Sequence, residues 1–195
     1  MSNLSLFISI PAGLAFFIPM VSRRIKWFPD IACSVTTFIL FLLSLQTLNQ
    51  QFIYEMGGWP TPMGIVFVLD GFSCMMLIIV NLIGFIVSLF SVDYIEKIYT
   101  SKLRYYSLLL LVITGINGVI LAGDFFNMFV FLELALIASY ALVGFGCGAK
   151  DLEASFKYMV INLLASYFIL LAIALLYGKF ATVNMAHTIA LMQQY

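Results

Sequence analysis

The feature that most constrains this chain is the length of its apolar runs, which exceed what the core of a soluble domain can take up. A transmembrane helix needs about 20 mostly apolar residues. Six runs of that kind follow one another: residues 4–22, 28–48, 71–92, 104–122, 124–146 and 154–178. Composition points the same way, since 64% of the 195 residues are hydrophobic and 9% are charged, where a soluble domain carries about 25% charged residues. The expected fold is an all-α membrane protein of six transmembrane helices, with lipid as its main solvent and no soluble domain.

The charge balance removes other classes. Nine basic and nine acidic side chains give a formal net charge of zero, and no basic stripe is available to neutralise phosphates, so nucleic-acid binding is excluded. Cys33, Cys74 and Cys147 form no CxxC or Cys/His pattern and are read as small apolar helix residues, so no metal site is expected. Nothing among the residues resembles a Ser/His, His-rich or metal-ligand constellation. No catalytic centre and no bound cofactor is therefore expected in this chain, and any redox chemistry belongs to partners.

Loop charges give an orientation, because cytoplasmic loops are enriched in Lys and Arg. Arg23, Arg24, Lys26, Lys97, Lys102, Arg104 and Lys150 lie at connections on one side, and only Lys179 lies on the other. Both termini are therefore expected outside, in a multi-pass protein of the cytoplasmic (prokaryotic inner) membrane. The loop 49–69 has two prolines, three glycines and the run Gly64-Ile65-Val66-Phe67-Val68, which predicts a short extended hairpin on the outer surface between helices two and three. Asp124 is placed to cap the fifth helix and Asn184 a short helix over 185–194. His187, the single histidine, is read as an interfacial residue.

Two charges remain inside the apolar runs. Glu133 sits roughly 13 Å into the fifth span by the helical rise, deep within a hydrocarbon core about 30 Å thick. Lys157 lies roughly 6 Å into the sixth from its cytoplasmic end, shallow enough to snorkel. A charge at the membrane centre costs roughly 2.5–3.5 kcal/mol on insertion scales, so Glu133 reads as a functional residue. Because burial raises a carboxyl pKa and lowers an amine pKa while pairing does the reverse, Glu133 and Lys157 have the chemistry of a proton or ion relay. Their backbones differ in depth by roughly 14 Å, so direct contact is not expected. Ser139, Tyr140, Ser155, Asn162, Ser166 and Tyr167 are the candidate polar path between them. Asn81 and Asn127 are amides in lipid that need partners.

Three segments carry a resemblance: GGWPTPMGIVFVLDGFS (57–73), GDFFNMFVFLELALIASYALV (123–143) and FKYMVINLLASYFILLAIALLYG (156–178). Together they resemble the N-terminal part of the antiporter-like, proton-translocating membrane subunits of complex I, the Mrp antiporter and membrane-bound hydrogenases. The wording is most similar to the D-type member of the Mrp antiporter. The resemblance implies that Glu133 matches the family's fifth-helix glutamate and Lys157 a sixth-helix lysine. Family members have about fourteen helices with two inverted repeats of about five helices each. Residues 1–103 would then be three preliminary helices with the external hairpin, 104–178 the first three helices of an incomplete repeat, and 179–195 an external connector. The family's lysines of later helices have no counterpart, so the resemblance implies that a continuation of the chain or another membrane subunit supplies them.

The functional expectation is a subunit of a multi-subunit proton or cation translocating membrane complex, contributing part of a Glu/Lys relay. Its partners would be other membrane subunits, lipid, protons or sodium, with redox subunits or a sodium gradient as the energy source. The alternative is a truncated homologue acting as a membrane scaffold or assembly subunit, with Glu133 in a static ion pair.

Overall fold

The computed structural model describes residues 3–22, 25, 27–48, 50–98, 102–146 and 148–193. Arg23, Arg24, Lys26 and Cys147 lie outside the described residues, as do the side chains of Lys97 and Lys102. The order of elements is α1 (Leu6–Val21), α2 (Phe28–Gln46), β1 (Phe52–Glu55), β2 (Val66–Leu69), α3 (Gly71–Ile98), α4 (Lys102–Leu121), α5 (Phe125–Val143), α6 (Ala149–Phe180) and α7 (Met185–Met192).

Among the described residues, five helices, α2 to α6, are long and apolar enough to cross a bilayer. The first expected span falls short of that length: residues 3–5 form a single 3-10 turn, and α1 has 16 residues, about 24 Å at the helical rise. Pro11 and Pro19 both lie inside it. The sixth helix departs in the opposite direction. At 32 residues it extends about 48 Å, well beyond the hydrocarbon thickness, so its charged first turns project past the apolar part.

A buried amide clasp explains how α1 tolerates Pro11. Proline has no N–H, so the carbonyl four residues earlier, that of Phe7, loses its helical partner. Asn117 Nδ2 of α4 donates to that carbonyl at 3.2 Å. The same Asn117 exchanges two hydrogen bonds with Asn81 of α3, at 3.1 and 3.2 Å, and Asn81 Nδ2 also donates to Leu77 O at 2.8 Å. Both amides are sealed from solvent, so α1, α3 and α4 are fastened by one satisfied polar network in which each loose end would be costly.

The pairing of α4 with α5 rests on small residues. A Cβ added to Gly115 would stand 2.6 Å from the backbone nitrogen of Ala135, and one on Gly118 would enter the Phe131 ring. Glycine at both positions lets the two helices approach closely, as is common where membrane helices pack without a hydrophobic driving force.

Strands β1 and β2 form an antiparallel hairpin, with Phe52 opposite Leu69 and Glu55 opposite Val66. The expectation of a hairpin lying on the surface needs correction. Val66, Phe67 and Leu69 are buried, Gly123 N–H donates to Val66 O at 2.8 Å, and the Phe67 ring packs on Phe131. Strand β2 is thus part of the core and wedges the corner between α4 and α5. At the same end, Phe125 N–H donates to Val183 O at 2.9 Å and Met185 N–H to Gly123 O at 3.1 Å, tying the start of α7 to the start of α5.

Candidate functional site

Helix α5 positions the site. Its N-terminus is fixed by Asp124, whose Oδ1 accepts the Asn127 N–H at 2.6 Å, satisfying one of the orphan donors of the first turn. Asp124 is itself 5% exposed, and burial pushes its carboxyl above the usual carboxylate range. Asp70 makes an instructive contrast: it caps α3 in the same way, accepting from Ser73 N–H at 2.7 Å, but it is exposed and that bond holds its carboxyl below the usual range.

Glu133 lies in the third turn of α5 and is half-buried, with Oε1 sealed from solvent and without a hydrogen-bond partner among the described residues. A buried polar atom left unpaired costs roughly 1–3 kcal/mol, more when charged, so this is a costly arrangement for a residue that merely holds the fold. Three further atoms along α5 and α6 share the condition: Asn127 Nδ2, Tyr140 OH and Ser166 Oγ. Asp124 Oδ2 joins them at the helix end.

The expected polar path separates into two groups. Ser139 donates back to Ala135 O at 2.7 Å, Asn162 to Tyr158 O at 2.8 Å, and Ser155 across to Tyr140 O at 2.7 Å, so their hydrogen-bonding needs are met by backbone. Tyr167 is 63% exposed. Tyr140 and Ser166 are buried on the α5–α6 side, and Tyr140 packs edge to face on Tyr158 at 5.1 Å between centroids. Lys157 is paired with Glu153 one turn earlier on an exposed face of α6; such exposed pairs contribute little to stability. The structure thus brings together Glu133, Tyr140 and Ser166 as unsatisfied groups along one helix pair, and sets Lys157 apart from them. His187 donates its backbone N–H to Asn184 Oδ1 at 3.0 Å within the cap of α7.

Asn117, Gly115 and Gly118 escaped the sequence reading. Their signals were present, as a second amide in an apolar run and as small residues three apart, but neither pattern names its partner helix.

Comparison with known proteins places these features in a context. Residues 122–194 match the family described as NADH:quinone oxidoreductase/Mrp antiporter, TM, and residues 56–106 match the N-terminus of chain 5 of NADH-ubiquinone oxidoreductase (complex I). The chain is 33% identical to the D-type member of a probable K(+)/H(+) antiporter of Rhizobium meliloti, over 92% of this chain and 34% of that protein. It is 33% identical to the N-type member of the NADH-quinone oxidoreductase of Desulforudis audaxviator, over 71% of this chain and 28% of that protein. Among solved structures, it superposes on a chain of an archaeal membrane-bound sulfane sulfur reductase with a TM-score of 0.89 and 31% identity, covering 95% of this chain and 39% of that one. On the Mrp complex of Dietzia sp. the TM-score is 0.85 at 31% identity, covering 94% and 35%. The chain spans about a third of the length of these relatives.

Proposed function

The chain belongs to the NADH:quinone oxidoreductase/Mrp antiporter membrane-subunit family, whose N-terminal part it matches, and from that premise we propose that it contributes a switchable charge to a proton or cation translocating complex. Glu133 is the group that carries the charge. The observation behind this reading is its solvent-sealed Oε1, which has no hydrogen-bond partner among the described residues, on a helix long and apolar enough to span a membrane, because a carboxyl with no fixed partner can gain or lose a proton without breaking a structural bond.

Lys157 acts from the other side of α6, where 69% of its side chain is exposed. In this proposal it leaves Glu153 for partners brought by helices that pack on that face. The family resemblance assigns those helices to later parts of the full-length relatives, either on the same chain or in neighbouring membrane subunits. Both termini face outward and the ends carrying Arg104 and Lys150 face the cytoplasm, following the positive-inside rule, with the whole in the prokaryotic inner membrane. A redox partner or a sodium gradient supplies the driving force, and the ion is a proton or sodium.

Glu133→Gln in the assembled complex, reconstituted in vesicles with a pH-sensitive dye and a sodium indicator inside, tests the reading. Loss of ion translocation by tenfold or more with the composition of the complex unchanged is the expected result. Parallel loss of assembly and translocation would instead favour a scaffold role for the chain.

A further inference from the structure

The α5–α6 seam is antiparallel, and three contacts fix its register. Ser155 Oγ donates to Tyr140 O at 2.7 Å, the Tyr140 and Tyr158 rings meet at 5.1 Å, and a Cβ on Gly144 would lie 3.2 Å from the Ser155 side chain. Residues 144 and 140 are therefore level with 155 and 158. Both helices rise equally per residue, so stepping back from Tyr140 to Glu133 on α5 corresponds to stepping forward from Tyr158 to residues 165–166 on α6.

Burial identifies which side of α6 faces α5. Ser166 and Ile173 are its buried residues, and the partly buried Ser155, Met159, Asn162 and Ile169 extend the same stripe at alternating spacings of four and three. Lys157, two positions past Ser155, is about 200° away around the helix. Ser166 thus stands on the facing stripe at the level of Glu133, while Lys157 is both off the stripe and lower on the helix. Ser166 Oγ, like Glu133 Oε1, is sealed from solvent and has no hydrogen-bond partner among the described residues.

We propose that Ser166 is a positioning residue for Glu133, its hydroxyl donating to the Glu133 carbonyl oxygen at the α5–α6 seam when the carboxyl is protonated and leaving it unbonded, as the two groups stand here, otherwise. This rests on the reading of Glu133 as a switchable group. The chemistry favours a hydroxyl here over an ammonium or a methyl group, because a neutral serine O–H donates to the carbonyl oxygen of a carboxylic acid, which a methyl group cannot do, and adds no charge that would fix the carboxylate, as an ammonium would. Packed helices run about 8–10 Å apart between axes, a distance that a glutamate and a serine can bridge from opposite sides. Other titratable groups along this helix pair are Tyr140 and Tyr158 on the seam, Asp124 at the start of α5, Asp151 in the first turn of α6 with Arg104 in that of α4, and Lys157 with Glu153 on the outer face of α6.

Infrared difference spectroscopy of the full chain in lipid nanodiscs, stepped between two pH values, provides the test. Glu133→Gln identifies the carboxylic acid C=O band of Glu133. Ser166→Ala is expected to move that band to higher frequency, as a carbonyl does on losing a hydrogen bond, and Ser166→Thr to return it to the native position. A band that stays in place in Ser166→Ala overturns the assignment of Ser166 while leaving Glu133 intact. If no native band disappears in Glu133→Gln, Glu133 does not switch, and the reading beneath the proposal fails with it.

Discussion

Helices α4 and α6 are both apolar and both long enough to span a membrane, yet 44% of the apolar stretch of α4 is buried inside the chain and 11% of that of α6. On α4 the buried amide is spoken for: Asn117, Asn81, Leu77 O and the carbonyl freed by Pro11 form one closed network, although Ser107 Oγ on the same helix has no hydrogen-bond partner among the described residues. Along α5 and α6 the buried polar atoms of Glu133, Tyr140 and Ser166 are left open. The difference separates polar residues that hold a membrane fold from those that the fold holds in readiness. A structural amide in lipid is useful only when paired, whereas a group that must change its charge is hindered by a permanent partner.

Breaking the closed side should cost most. Asn117→Leu strands the Phe7 carbonyl and the Asn81 amide together, and at roughly 1–3 kcal/mol per stranded group the expected loss is about 2–6 kcal/mol in reversible unfolding from mixed micelles. Adding Asn81→Leu to that variant should cost much less than it does alone, since the pair acts as a unit. Additive losses would show that the two amides do not share a network.

Glycine substitutions sharpen the contrast, because the same chemical change should have opposite signs on the two helices. Gly115→Ala drives a methyl group into the backbone of α5 and is expected to destabilise by about 1–3 kcal/mol, the usual range for overpacking. Gly178→Ala on α6 meets nothing within 4 Å, so helix propensity alone applies and the variant should gain up to about 1 kcal/mol. Lys157→Ala should be smaller still, a change under about 0.5 kcal/mol, given the exposure of its pair with Glu153.

The least effect concerns the two capping aspartates, and it is a matter of sign. Asp70 has a lowered pKa, so its contribution is present above the unfolded carboxylate pKa and is lost as pH falls through the folded value. Asp124 has a raised pKa, so stability is greatest below the unfolded pKa and declines as pH rises towards the folded value. Asparagine caps a helix about as well as aspartate. Asp124→Asn should therefore be more stable than the native chain at neutral pH and lose that advantage in acid, and Asp70→Asn should show the reverse; unfolding curves across pH distinguish them.

The sequence made the helices legible because lipid permits few alternatives to a hydrogen-bonded helix, and Glu133 stood out because a carboxylate so deep in an apolar run is expensive. Helix ends were harder to place. Nothing in the run 4–22 signals that α1 stops at 16 residues, and the polar turns that open α6 look like a loop until Glu153 and Lys157 are seen one turn apart on it. The inner strand of the hairpin was misplaced for a different reason: alternation in Gly64–Val68 suggests a strand but does not reveal that Gly123 and Phe131 wait to cover it. Pairing of Asn81 with Asn117 likewise depends on how α3 and α4 meet, which composition and periodicity do not specify.

The separation of holding groups from switching groups is tested most directly by the unfolding free energy of Glu133→Gln in lipid-detergent micelles, measured beside the native chain. An unpartnered carboxyl contributes no bond to lose, so the variant is expected to be as stable as the native chain or more so. A loss of about 2–6 kcal/mol, the size expected when a buried pair such as Asn81 and Asn117 is broken, would show that Glu133 holds the fold and would contradict its assignment as the free charge of the seam.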